Sequence, residues 1–169
     1  MASISRSSVL SAVVIAVLLA ALPGAIWRII QTGDLYLFTH DFFADLLARL
    51  SGPGRMRFIL QPTVAIVLGA RDGIKDARAG LPSFISALVF HRGHRTGMLR
   101  NMFASVRNLV AIAILLDVVS QFLIFREIHP GAALLLGPVL IAFPYALSRS
   151  STTMIARRRS SSKPATRTS

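Results

Sequence analysis

From Val9 to Trp27 the chain reads VLSAVVIAVLLAALPGAIW, without one charged side chain. A helix of that length covers roughly 28 Å, close to the hydrocarbon thickness of a bilayer, and in lipid every backbone polar group must be bonded inside its own element. Two further apolar runs, 108–125 and 131–147, just reach the minimum of about 17 residues for a crossing. A fourth, 58–70, is short and needs Arg57 and Arg71 to reach back to the headgroups with their long stems. The chain is 53% hydrophobic and 15% charged, well outside the balance of a soluble domain of its length. These runs predict an all-α polytopic membrane protein: residues 1–150 form one transmembrane domain of about four spans, at about 9–27, 58–70, 108–125 and 131–147, with a lipid bilayer as its main partner.

The first run has Arg6 ahead of it, as in a secretory signal, but Pro23 stands where cleavage would fall. It is therefore expected to stay as an anchor. Net charge is +12, and the basic residues flank apolar runs instead of forming one face, so they read as topology signals and no nucleic-acid partner is expected. The connector holding Arg71, Lys75, Arg78, Arg92, Arg95, Arg100 and Arg107, and the tail holding Arg149, Arg157, Arg158, Arg159 and Lys163, both belong in the cytosol. Bacterial inner-membrane placement, multi-pass, with both termini cytoplasmic, follows. Residues 151–169 are expected to form a basic disordered tail, in which Arg157, Arg158, Arg159 and Lys163 meet anionic lipid.

Residues 34–50 open on Asp34, an N-cap type, and place Leu35, Phe38, Phe42, Leu46 and Leu50 on one stripe, with Asp41, Asp45 and Arg49 at i, i+4 spacing on another. That pattern predicts an amphipathic helix lying on the outer surface, or a lid over the spans. On the inner side the helix after the second run is expected to end at Gly80, ahead of Leu81-Pro82. SFISALVF (83–90) is too short to cross, and GMLRNMFASVR puts Met98, Leu99, Met102, Phe103 and Val106 on one face leading into the third span.

LLDVVSQFL sets Asp117 and Gln121 inside an apolar run. About a dozen apolar residues, each favouring insertion by roughly 0.3–0.6 kcal/mol, outweigh a central Asp costing about 2.5–3.5 kcal/mol. Asp117 must then face protein or water, and Ser120 and Gln121 share its side of the helix. Gln61 should lie at similar depth in the second span, where its amide can pair with that of Gln121. Ala65, Gly69 and Gly73 recur at a spacing that lets helices approach closely, as do Ala133 and Gly137. Asp72 and Asp76 continue the stripe as an acidic cytoplasmic face, with Arg92, Arg95 or Arg100 as candidate counter-charges. A hydrogen-bonded clamp of Asp117, Gln121 and Gln61 explains the cluster better than a proton relay, which needs a second titratable group at that depth.

Catalytic chemistry has little to stand on. Cysteine is absent, which removes thiolate nucleophiles and Cys-based metal sites. His91 and His94 lack an acidic third ligand, so no metal or cofactor is expected. His40 beside Asp41, and His129 near Glu127, are the only candidates for acid-base work on a lipid headgroup at the outer face, and solvated or capping roles suit them better.

Two stretches, RFILQPTVAIVLGARDGIKDARAGLPSF (57–84) and LDVVSQFLIFREIHPGAALLLGPVLIAFPYALSRS (116–150), covering over a third of the chain, resemble a family of small bacterial integral membrane proteins described only as hypothetical. The resemblance rests on Leu60-Gln61-Pro62, Leu68-Gly69, Arg71-Asp72-Gly73 and Asp76-Ala77-Arg78, with Asp117, Gln121 and Pro130-Gly131. It implies an inner-membrane helical protein and no particular activity. Where the family pattern often has an acidic residue after Pro-Gly, Ala132 follows Gly131, which argues against a role for charge there. The expected function is structural or accessory, without catalysis, with self-association or another membrane protein as possible partner. The rivals are a proton- or ion-coupled channel or transporter subunit using Asp117, and a headgroup enzyme.

Overall fold

A computed structural model describes residues 6–33, 36–37, 39–52 and 55–161, and among them every regular element is an α-helix. There are six: α1 (Arg6–Thr32), α2 (His40–Ser51), α3 (Arg57–Arg78), α4 (Phe84–Phe90), α5 (Arg92–Phe125) and α6 (Pro130–Ser161). Three segments are long and apolar enough to cross a membrane: Ser7–Thr32, Arg95–Phe125 and Pro130–Arg159. The second expected span lies in α3, which with Arg71, Asp72, Lys75, Asp76 and Arg78 in its second half does not reach that standard.

The chain divides into two units. One comprises residues up to Gln61 with Arg107–Ile141, that is α1, α2, the start of α3, most of α5 and the start of α6. Its apolar core is Val14, Ala111, Ile114, Val118 and Ala133, with Leu10, Val17 and Leu18 of α1 packed against it. Gly137 lets α6 close on α5: a Cβ there would stand 2.9 Å from Ile114 Cγ1. Thr39 caps α2, its hydroxyl accepting from the Phe42 amide at 3.3 Å, so the helix starts at His40 instead of after Asp34. Asp34, Leu35 and Phe38 of the expected stripe fall outside the described residues. Of the remainder Phe42 is buried, Leu46 partly so and Leu50 exposed, while Arg49, assigned to the polar stripe, is buried. The expected surface helix therefore turns a charged residue inward, and the cause lies in the counter-charge described below.

The second unit comprises Pro62–Val106 and the chain from Ala142 onward. Gly69 and Gly73 lie against the α6 backbone: a Cβ at Gly69 would overlap the Tyr145 carbonyl, and one at Gly73 would stand 2.5 Å from the Arg149 carbonyl oxygen. Ala65 is fully buried. α3 closes as the sequence predicts, with Gly80 at φ +68, its N–H on the Ala77 carbonyl (3.2 Å) and that of Leu81 on the Asp76 carbonyl (3.0 Å), a pairing that satisfies two carbonyls at the helix end. Along α5, Met98, Met102 and Val106 are buried, but Phe103 turns outward. α6 continues past the end of its apolar run to Ser161, so more than half of the expected disordered tail, residues 151–161 of 151–169, is helical.

Candidate functional site

Asp117 sits in the last third of α5 with 2% of its surface exposed, and the structure sets two cations against it. Arg57, at the first position of α3, brings Nη2 to 2.7 Å from Oδ1 and donates through Nη1 to the Leu116 carbonyl at 3.1 Å. Arg49, near the end of α2 and 1% exposed, places Nη1 3.6 Å from Oδ2. Gln121, one helical turn on, donates to Oδ2 at 2.6 Å and accepts the His129 backbone N–H at 2.6 Å, which ties the turn before α6 to α5. Ser120 is buried beside it. Gln61 is buried too, but its amide does not pair with Gln121 and finds no hydrogen-bond partner among the described residues. Arg57, not Gln61, carries α3 to the cluster, because a charged guanidinium makes stronger hydrogen bonds and ion pairs than a neutral amide.

From this centre a polar chain runs on through α2. Arg49 Nη2 donates to the Tyr36 hydroxyl at 3.3 Å, and Tyr36 donates to Asp45 at 2.5 Å. Burial and that bond to Asp45 push the Tyr36 hydroxyl far above its usual range, so it stays a donor. The Tyr36 ring stacks on His129 at 3.7 Å between centroids. Arg28, in the last turns of α1, pairs with Glu127 at 2.5 Å and contacts His129 Nε2. Burial, then the Arg28 charge, lowers the His129 pKa and keeps the ring neutral. A guanidinium has only donors, so Nε2 is the accepting nitrogen and the proton resides on Nδ1.

The second unit carries its own polar interior. Asp76 is held by Arg149 in a bidentate pair, Nε at 2.6 Å and Nη2 at 3.0 Å, and the guanidinium lies over the Phe84 ring at 5.0 Å. Asp72 accepts from Ser105 (2.8 Å), Tyr145 (2.7 Å) and Lys75 (3.2 Å). The expected partners Arg95 and Arg100 are replaced by Lys75 and Arg149, the Arg92 side chain lying outside what the structure describes, and the two acids line an internal network instead of an exposed acidic face. Thr153 is fully buried, its hydroxyl within reach of the Gly73 and Arg149 carbonyls.

Arg157, Arg158 and Arg159 are exposed on α6, with Arg157 also donating to the Gly80 carbonyl at 3.1 Å; Lys163 lies outside the described residues. His40 and Asp41 are both solvent-facing, 3.9 Å apart. No group of three metal-ligating side chains occurs among the described residues. Sequence reasoning missed Arg57 and Arg149 because each flanks an apolar run, where a cation also serves as an interface anchor, and Arg49 because its i, i+4 spacing with Asp41 and Asp45 put it on a polar stripe. The clue was the acid itself: a carboxylate inside a lipid-facing helix requires a counter-charge. No protein-family model, curated protein or solved structure matches the chain.

Proposed function

We propose that this chain is a four-span bacterial inner-membrane protein with both termini in the cytoplasm and a structural or accessory role, held together by interior ion pairs and without catalytic activity of its own. One observation carries the reading: the usual distribution is inverted. Arg49, Arg57, Asp76, Asp117 and Arg149 are buried, while Ile15, Leu19, Ile26, Ile30, Val119, Phe143 and many like them are exposed. Only 6% of the apolar window of α1 is buried. Water would drive such a surface to aggregate, whereas hydrocarbon solvates it.

The same inversion supports α3 as the fourth crossing. Its 22 residues extend about 33 Å. Its Arg57, Gln61 and Asp76 are buried, and the large side chains it exposes in its first half, Ile59, Leu60, Val64, Ile66 and Val67, are apolar, with Thr63 the polar exception. Mean composition undercounts a helix of this kind, because part of the polar content that lowers it is buried, while the exposed Arg71 and Lys75 lie in its second half.

The clamp is favoured over a relay because both Asp117 oxygens already face cations or the Gln121 amide. The test uses two readouts. A reporter fused after Ser169 should be active in the cytosol, and liposomes containing the purified chain should show no more proton flux than empty ones. A periplasmic reporter would overturn the topology; pH-driven flux in the wild type that Asp117→Asn abolishes would replace the clamp with a relay.

A further inference from the structure

The outer end of α1 borders a cavity of about 460 Å³ that the clamp does not use. Its lining combines the apolar Leu22, Ile26 and Ile29 with the polar Arg28, Asp41 and His129. The size suits a headgroup with the first few methylenes of its chains. Arg28 commits one nitrogen to Glu127 and His129 and keeps further donors in its fork. His129 is 7% exposed, and its buried Nδ1 has no hydrogen-bond partner among the described residues. Asp41, on α2, also lines the cavity; it is exposed, and among the described residues its ion pair is with solvent-facing His40.

We infer that this cavity binds an amine-bearing zwitterionic phospholipid, of the phosphatidylethanolamine class, in the leaflet that meets the C-terminal end of α1. The phosphate lies against Arg28, the ammonium against Asp41, and the acyl chains along Leu22, Ile26 and Ile29. Opposite charges in one lining are what select a zwitterion: a purely anionic headgroup meets Arg28 but is repelled by Asp41, and a quaternary amine cannot donate hydrogen bonds to the carboxylate. Leu22, Ile26 and Ile29 are themselves exposed, which opens the apolar wall to hydrocarbon. The assignment rests on the membrane reading of α1 and is independent of which way round the chain inserts.

Native mass spectrometry of the full-length chain, released from micelles containing equal amounts of phosphatidylethanolamine, phosphatidylglycerol and phosphatidylcholine, tests it. The expected result is preferential retention of phosphatidylethanolamine. Arg28→Gln should weaken that retention about tenfold or more, the effect of losing a charge-assisted phosphate contact. Asp41→Asn should cut the preference over phosphatidylcholine by about threefold, as for an exposed pair. Asp41 is solvent-facing, so that variant tests selectivity without challenging the fold. Equal retention of the three lipids, or wild-type behaviour in both variants, would overturn the proposal. Displacement by soluble glycerophosphoethanolamine at the same concentration as the lipid would overturn it as well, in favour of a solute site. Resistance of the chain to carbonate extraction is measured in parallel: its failure sinks the membrane reading, whereas retention of lipids without preference sinks only the site.

Discussion

At the scale of single residues, Asp117 decides how the first unit is wired. Two guanidinium groups and one amide converge on its two oxygens, and Arg49 and Asp117 expose no more than 2% of their surface. With hydrogen bonding alone in view, Asp117→Asn would cost little, since an amide still bonds. With the arginines present it strands two buried cations, and losing one partner of a buried pair typically costs about 3–5 kcal/mol. Thermal unfolding in detergent should show that loss for Asp117→Asn, and Asp117→Asn combined with Arg57→Met should recover part of it. A single variant as stable as wild type would mean that the arginines find other partners. Which acid needed a partner was legible in the sequence; which cation supplied it was not, because Arg49, Arg57 and Asp117 come from three different helices. Gln61 shows the converse: a plausible depth match between amides lost to a charge that reaches farther.

Among elements, the close approaches matter most. The spacing of Ala65, Gly69 and Gly73 is readable as a helix contact, and the structure lays it against the carbonyls of Tyr145 and Arg149. Gly73→Ala is the sharper test, because its Cβ would meet the Arg149 carbonyl oxygen at 2.5 Å, and Arg149 cannot shift without loosening its hold on Asp76. Overpacking of this kind costs about 1–3 kcal/mol, so the unfolding midpoint should fall and Gly73→Ser should fall at least as far. Gly24→Ala, with open space around it, serves as the control and should leave the midpoint in place. Element ends were legible where backbone chemistry sets them, as at Gly80 with its positive φ. They were misread where periodicity was the only guide: α2 begins at its Thr39 cap, and α6 runs on through polar residues because Thr153 and Arg149 continue to pack.

For the whole molecule, charge placement governs insertion. The cytoplasmic assignment draws on two basic regions, the connector between the second and third runs and the end of α6. Replacing Arg157, Arg158 and Arg159 together by Gln should therefore leave a reporter after Ser169 in the cytosol, because the connector still holds Arg71, Lys75, Arg78 and Arg107. Retention of anionic lipid by the purified chain should fall, by about 1 kcal/mol for each residue lost. Movement of the reporter to the periplasm would show that the tail alone sets the orientation.

The apolar runs, read without coordinates, already dictate that the elements are helices and that lipid is the fitting solvent for three of them, because an unpaired backbone group in hydrocarbon costs too much for other spanning structures. Local chemistry likewise marks Gly80 as a terminus and Asp117 as a residue that cannot face lipid. Packing alone decides that Arg49 turns inward on α2, that Arg149 and not Arg95 or Arg100 answers Asp76, and that Arg28, Asp41 and His129 line one cavity. Ion pairs between residues far apart in the chain depend on where helices pack, and neither periodicity nor spacing along one strand of sequence encodes that distance.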